Sequence, residues 1–360
     1  MSRFAQPRPA KSRRSLAVIA LVLAGGLVAA CAGSNASSEE NSSSFGTASA
    51  DTPTLTFGVQ TADYPALFEK SGLFEDLPYK LDVPVISGPA AQISALHSKA
   101  IDVGLTGAGT AAVEAANQKD DPNVTGQAAI EAIAIYNQID SPYPSPSLFV
   151  QKSAGIDTLA DLRGKKIAYN VGGNIYAAYV IALFQAGLTP ADVQPVALAD
   201  NQAAAAAFVA GEVDAVLTTY GSVQRLLSTG DAVALPTNPE LYTIVGGGSH
   251  ITRPDVLDDP AKVDALRDFF GRYDTFWTEW YPAHKDEVIE VYRNELKQTE
   301  EIANINFDAS ATTRLLKLGD PELIAKQQLT VDQAFKAGGV KNQRDIAIAY
   351  NPIFDPQFTQ

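Results

Sequence analysis

Leu96-His97-Ser98-Lys99-Ala100-Ile101-Asp102-Val103-Gly104-Leu105 and Phe208-Val209-Ala210-Gly211-Glu212-Val213-Asp214-Ala215-Val216-Leu217 follow one pattern. In each, a helical stretch ends in a turn, and a β-branched residue then precedes an aspartate that opens a strand. Each copy also follows a strand–helix–strand run. In the first, Leu55-Thr56-Phe57-Gly58-Val59 reads as a buried strand, a short helix opens at Tyr64 and ends near Gly72, and residues 79–86 suit a second strand. A helix over 89–99 carries Ile93 and Leu96 at helical spacing, and a further helix is predicted over 110–118. In the second, Lys165-Lys166-Ile167-Ala168-Tyr169 is a strand, and Gly187 closes a helix over 175–186. Asp200 caps a helix that Gly211 ends. Strands alternating with helices imply mostly parallel sheets, so the fold class is α/β with two related lobes.

Ser141-Pro142-Tyr143-Pro144-Ser145-Pro146 is too proline-rich for a helix and suits an extended crossing between the lobes. Residues 244–249, with Gly246-Gly247-Gly248 at their centre, give a crossing back. Two crossings make the second lobe an insertion: residues 54–145 and 245–360 form lobe 1, and residues 146–244 form lobe 2. The C-terminal part reads as helices over 263–280, 286–297, 309–318 and 331–337, packed on lobe 1. Its Trp277 and Trp280 sit at helical spacing and read as core or lobe-interface residues. About 300 folded residues are long for one core and comfortable for two lobes.

The N-terminus has a different logic. Arg8, Lys11, Arg13 and Arg14 precede an uncharged run over 16–30, and Val28-Ala29-Ala30 leads into Cys31. Basic, apolar, then small is the order of an export signal, here residues 1–30, and the run is short against the ~20 residues of a spanning helix. Val28-Ala29-Ala30-Cys31 resembles a bacterial lipobox, which implies a lipidated Cys31 at the mature N-terminus, anchored at the outer face of the cytoplasmic membrane. Ser12-Arg13-Arg14 fits either an ordinary basic region or a twin-arginine signal. Residues 31–53, rich in Ser, Ala, Asn and Glu, read as a flexible tether.

Cys31 is the only cysteine in 360 residues, so no internal disulfide forms. The formal net charge is −14, and the leader holds basic residues without a single acid, so the remainder is more acidic still. Such a surface excludes nucleic acid as the expected partner. It says little about the charge of a small ligand, which responds to local dipoles.

The chain resembles the substrate-binding lipoproteins of ABC importers for sulfonates, nitrate and taurine, whose fold is the type II periplasmic-binding-protein fold. The resemblance is strongest in Phe57-Gly58-Val59-Gln60, Gly88-Pro89-Ala90, Ile101-Asp102-Val103-Gly104-Leu105-Thr106-Gly107 and Asp157-Thr158-Leu159-Ala160-Asp161-Leu162-Arg163-Gly164-Lys165-Lys166. Asp192-Val193-Gln194-Pro195 and Gly211-Glu212-Val213-Asp214-Ala215 continue it. It implies a monomer that holds a small organic anion in the cleft, closes at hinges near 143–147 and 244–248, and docks on a membrane permease with its ATPase subunit. A sulfonate leads; taurine, nitrate, bicarbonate and a pyrimidine precursor follow, and a ligand sensor would use the same cleft. Sulfonate binders often carry an acidic residue after the Thr-Gly pair, where this chain has Ala108. They often carry a Trp-Asp-Pro-like stretch where it reads Thr219-Tyr220-Gly221.

In doubly wound sheets ligands sit beyond the carboxyl ends of strands, where helix N-termini offer unpaired N–H groups to an anion. Four loops have that place: 60–64, 87–91, 106–110 and 170–176. Predicted ligand contacts are Gln60, Tyr64, Gly88, Pro89, Thr106, Gly107, Ala108, Gly172, Gly173, Asn174, Tyr176, Thr218, Thr219 and Tyr220. Gly107-Ala108-Gly109-Thr110-Ala111-Ala112 fits a dinucleotide fingerprint but follows the third strand and lacks the later acidic residue, so no cofactor is expected. Some proteins of this fold are enzymes, including a sulfinate desulfinase with a cysteine nucleophile. Here Cys31 is consumed by the anchor, His97, His250 and His284 have no metal-ligand spacing, and Asp102 and Asp214 read as backbone caps. No catalytic or metal site is expected.

Overall fold

The computed structural model describes residues 42–46, 52–237 and 247–358. The expectations for the leader, for Cys31 and for 244–246 of the second crossing lie outside those residues. The first group of elements is β1 (Ser42–Phe45), β2 (Thr54–Gly58), α1 (Asp63–Ser71), β3 (Lys80–Pro84), α2 (Pro89–His97), β4 (Val103–Gly107), α3 (Thr110–Asn117), α4 (Pro122–Thr125) and β5 (Glu131–Gln138). The second is β6 (Ser147–Gln151), β7 (Lys166–Asn170), α5 (Gly173–Gln185), β8 (Gln194–Leu198), α6 (Asn201–Val209), β9 (Ala215–Thr218), α7 (Tyr220–Thr229) and β10 (Ala232–Ala234). The third is β11 (Gly247–Thr252), α8 (Pro254–Leu257), α9 (Pro260–Thr275), α10 (Tyr281–Ala283), α11 (Lys285–Glu295), α12 (Glu300–Ser310), β12 (Thr313–Leu316) and α13 (Pro321–Lys336).

Two sheets result, ordered β1-β3-β2-β4-β11-β5-β12 and β10-β6-β9-β7-β8. Each has a parallel centre, β3-β2-β4 in one and β9-β7-β8 in the other. The returning strand β11 lies antiparallel between β4 and β5, so the whole second sheet is inserted between neighbouring strands of the first. The architecture is therefore α/β with two lobes.

The aspartate repeat has the same physical cause in both lobes. Asp102 takes the backbone N–H of Thr56 at 3.0 Å, while its own N–H donates to the Thr56 carbonyl at 2.9 Å. Asp214 takes the N–H of Lys166 at 2.8 Å and donates back at 2.9 Å. Each carboxylate thus pins the start of a central strand to its parallel neighbour. Asp102 is buried and also pairs with Lys262.

Aromatic packing fills lobe 1. Phe57 of β2 lies 4.4 Å, centroid to centroid, from Phe269 of α9, and Phe269 stacks on Tyr273 at 5.4 Å. His250 of β11 is fully buried among Phe57, Tyr136, Phe270 and Tyr273, with neither ring nitrogen hydrogen-bonded. The C-terminal helix α13 packs against α5 of lobe 2 as well as α3 of lobe 1, rather than on lobe 1 alone. Alanines on α3 and α5 and Val331 and Ala334 of α13 form one apolar core across the lobe boundary.

Two expectations are corrected. Within the stretch read as a flexible tether, Ser42–Phe45 forms an edge strand antiparallel to β3. Phe45 packs edge-on to Phe68 at 6.3 Å, and Ser44 donates to Asp82 at 2.5 Å, so one aromatic and one hydroxyl suffice to dock a polar segment on an open edge. The helix expected over 309–318 ends at Ser310, and Thr313–Leu316 pairs antiparallel with β5. Its burial alternates, a period too short to read from four residues. His97 is exposed at the end of α2. Residues 276–280 widen into a π-turn after α9, where Trp280 stacks on His284 at 4.8 Å.

Burial pushes the His250 imidazole down to about 3. Its folded value therefore lies below its unfolded value of ~6.5, so its contribution is fully present above pH ~6.5 and is lost as pH falls toward 3. His250→Phe, which keeps the ring, is expected to flatten the acid limb of a urea-unfolding series by about 1.4 kcal/mol per pH unit in that window. An unchanged slope would mean that His250 is not buried neutral. Asp102→Ala should cost about 2 kcal/mol and Asp214→Ala about 1 kcal/mol in the same assay at pH 7, because the first also strips Lys262 of its partner.

Candidate ligand-binding cleft

Most of the loops flagged by the sequence meet one another across the lobe boundary. A Cβ at Gly107 would collide with the backbone nitrogen of Asn174, and one at Gly88 with the Ala199 carbonyl. Pro89 packs on Gly172 and Gly173, whose added Cβ atoms would lie 3.5 and 3.1 Å from its ring. Gly88, Gly172 and Gly173 all hold positive φ, at 84°, 81° and 67°, which keeps side chains out of this seam. Polar contacts complete it. Ser87 donates to Asp200 at 2.9 Å, Asn174 to the Gly247 carbonyl at 3.0 Å, and Tyr176 to the Gly339 carbonyl at 2.8 Å.

The remaining space is a cavity of about 220 Å³ beside the outward crossing. Lobe 1 contributes Thr61, Asp63 and Tyr64, and the crossing contributes Gln138, Tyr143 and Ser145. Lobe 2 contributes Thr219, Tyr220 and Gly221; the returning chain closes the space with Trp277, Tyr292, Asn306 and Ser310. Two helix N-termini face this space, α1 after β2 and α7 after β9. Neither residue before the helix caps it with its side chain: Ala62 precedes α1, and the Thr219 hydroxyl before α7 instead bonds the Ser222 hydroxyl at 2.8 Å. At α1 the Asp63 carboxyl meets the backbone N–H groups of Asp63 and Tyr64, and at α7 the Ser222 N–H turns back to the Thr219 carbonyl at 3.2 Å; both ends carry partial positive charge, offset at α1 by that carboxyl.

The side chains add one formal charge. Asp63 is 7% exposed, and burial raises its carboxyl above the ordinary carboxylate range, opposed by hydrogen bonds from the Thr61 side chain and from the backbone N–H groups of Asp63 and Tyr64. Its Oδ1 has no hydrogen-bond partner. Among the described residues lining the cavity there is no Lys, Arg or His. Burial, and then the neighbouring phenols Tyr136 and Tyr273, pushes the half-buried Tyr64 well above its usual value, so it stays a neutral donor. The Tyr220 ring is held edge-on to Phe149 at 4.9 Å and near Tyr143 at 5.6 Å.

Of the predicted contacts, Tyr64, Thr219 and Tyr220 line the cavity. Gly88, Pro89, Gly107, Gly172, Gly173 and Asn174 sit on the seam instead, because the lobes are closed there backbone against backbone. Tyr176 is tied to the chain after α13. Gln60 donates inward to the Leu105 carbonyl at 2.8 Å, and Thr106 bonds Ser249 at 3.2 Å. Thr218 donates to Asn201 at 2.7 Å, and Ala108 is fully buried in the apolar core. Asp63 and Trp277 were not singled out as contacts. Asp63 lies inside a flagged loop, so its nearness was legible. Trp277 was not, because a cavity-lining indole and a core indole have the same helical spacing.

A family model described as ABC transporter, phosphonate, periplasmic substrate-binding protein matches residues 69–241. A protein of Escherichia coli (strain K12) named for binding aliphatic sulfonates is 35% identical over 130 residues, covering 36% of this chain and 36% of its own. The aligned part thus spans about a third of that relative. The alkanesulfonate-binding protein SsuA from Xanthomonas axonopodis pv. citri, solved bound to MOPS, superposes with a TM-score of 0.65 at 19% identity, over 84% of this chain and 99% of its own. The aliphatic sulphonate binding protein SsuA from Escherichia coli gives 0.61 at 21% identity, over 83% and 92%. At these identities the two structures show a shared fold.

Gly107→Ala is expected to wedge the seam open, since the added carbon meets backbone that cannot swing away. Small-angle scattering should show a larger radius of gyration than wild type, with the circular dichroism spectrum unchanged. An unaltered scattering profile would mean that the seam yields without separating the lobes.

Proposed function

We propose that this chain is a periplasmic substrate-binding protein of an ABC transporter and that it captures a small organic anion, a sulfonate foremost, in the cavity between the lobes. The observation that carries the reading is the convergence of two helix N-termini, α1 from lobe 1 and α7 from lobe 2, on one space of about 220 Å³. That is below the ~300 Å³ at which drug-sized pockets begin, and it suits a small solute. An anion there needs no basic side chain, because unpaired N–H groups supply the complementary charge. Tyr64, Tyr220 and Trp277 offer walls to the organic part, while Gln138 and Ser145 tie the site to the crossing.

Because the ligand would touch both lobes, occupancy favours the closed form, and a membrane permease with its ATPase subunit would read that closure. The protein acts as an exported monomer, held by lipid on Cys31 at the outer face of the cytoplasmic membrane. Stable anchoring needs two or more acyl chains, as a lipoprotein cysteine carries. It binds and releases without chemistry: His250 is locked in the aromatic core, His97 is exposed on α2, and no cysteine lies in the cavity.

A thermal-shift panel on residues 42–360 should include alkane- and arylsulfonates, taurine, alkylphosphonates, nitrate, bicarbonate and pyrimidines. A true ligand at 100 times its dissociation constant adds ~2.7 kcal/mol of stability. The expected result is a raised melting temperature with sulfonates or phosphonates. A shift confined to pyrimidines, or to none of these solutes, would overturn the anion reading.

A further inference from the structure

The lobes meet in two different ways. On the α13 side they share one apolar core, in which Val331 and Ala334 of α13 lie with Ala177 and Ile181 of α5 and Ala112 of α3. Parting the lobes there would expose that core to water. Beside the cavity, α7 of lobe 2 packs on α12 of the returning chain, and no core is shared. Val223 and Leu226 of α7 are buried with Phe149 and Phe208 of lobe 2, whereas Ala303 and Phe307 of α12 are buried with Tyr281 and Tyr292. Among the described residues the two clusters have no side chain in common.

Polar contacts join the two helices. Gln224 donates to Glu301 at 3.0 Å in an exposed position. Gly221 lies against the Asn306 side chain, which itself donates to Gln298 at 2.9 Å. An exposed hydrogen bond exchanges for water at little net cost, so this face gives way before the apolar one. Tyr220 and Gly221 of α7 and Ile305, Asn306 and Ala309 of α12 line the cavity, so separating the helices uncovers it directly. Ser141 of the outward crossing donates to the Ala309 carbonyl at 3.0 Å, which ties the end of α12 to the pivot.

We propose that α7 and α12 form the door of the cavity. The solute enters where these helices part, while the α13 side and the glycine seam stay shut. The inference rests on the substrate-binding reading above and adds its route of entry.

The test uses lipid-free protein, residues 42–360, which keeps every described element and holds no cysteine. Gln224→Cys with Glu301→Cys, joined by a short bis-maleimide, ties the door. Ser87→Cys with Asp200→Cys, joined the same way, ties the seam, where those side chains lie 2.9 Å apart. Acrylamide quenching of Trp277 fluorescence reads access, because this indole lines the cavity and is only 4% exposed. Trp280→Phe removes the other tryptophan; where that variant does not fold, the bridges are compared with both indoles present, Trp280 being a background common to all. Tying the door is expected to lower the quenching constant several-fold against the same protein before bridging, and tying the seam to leave it unchanged. Quenching that survives the door bridge, or falls equally with the seam bridge, overturns the proposal. Acrylamide is neutral and needs no binding site, so this result is independent of the anion reading, which stands or falls on the thermal-shift panel.

Discussion

Across the lobe boundary, main chain lies directly on main chain, and the geometry of the cleft follows from that approach. Gly107 against Asn174, Gly88 against Ala199, and Gly221 against the Asn306 side chain leave no room for a further carbon. On the far side, α13 lies over both α3 and α5, and Gly339 comes so near Val180 that a Cβ would sit 2.8 Å from it. The lobes are thus joined along one edge by apolar core and along the loops by close backbone contact. What stays open is the space beside the outward crossing. Its small size is a consequence of how closely the seam shuts.

The electrostatics follow from what that space excludes. A chain with a formal charge of −14 has little long-range attraction for an anion. On the proposed reading, capture of an anion would rest on short-range donors, and helix N-termini are donors that need no extra charge in an acidic protein. The two that face the cavity lie at the ends of β2 and β9, strands pinned by Asp102 and Asp214 through the N–H groups of Thr56 and Lys166. The paired aspartates are remote from the cavity, yet they fix the strands whose carboxyl ends aim α1 and α7 at it.

The sequence made the skeleton legible because its signals are local. An aspartate at a strand start, a glycine after a helix and a proline-rich crossing each act over a few residues, and their repetition exposed two lobes. The cleft was legible only as a neighbourhood. The glycine loops were read as ligand contacts, and the structure sets them against the opposite lobe, as Gly107 and Asn174 show. Which helix N-termini stay open depends on the angle at which the lobes close, a tertiary quantity with no local signature. Trp277 illustrates the same limit: its helical spacing is that of a core residue, and it is one on the Tyr281 side, where the rings lie 4.8 Å apart, while another part lines the cavity. Likewise β12 and β1 exist because an open sheet edge accepts short segments that have no strand period of their own.

Binding and closure are one equilibrium in such a molecule. A ligand that touched only α1 would bind the open and closed forms alike and shift nothing, however tightly it bound. A ligand touching both the Tyr64 side and the Tyr220 side of the cavity would interact fully only when the lobes are shut, so its whole second set of contacts would be differential affinity. About 1.4 kcal/mol of such difference changes the closed-to-open ratio tenfold. Contacts placed on two different lobes would turn ligand identity into ligand-dependent shape. On the proposed reading, a membrane partner that recognises only the closed outline would need no contact with the solute itself.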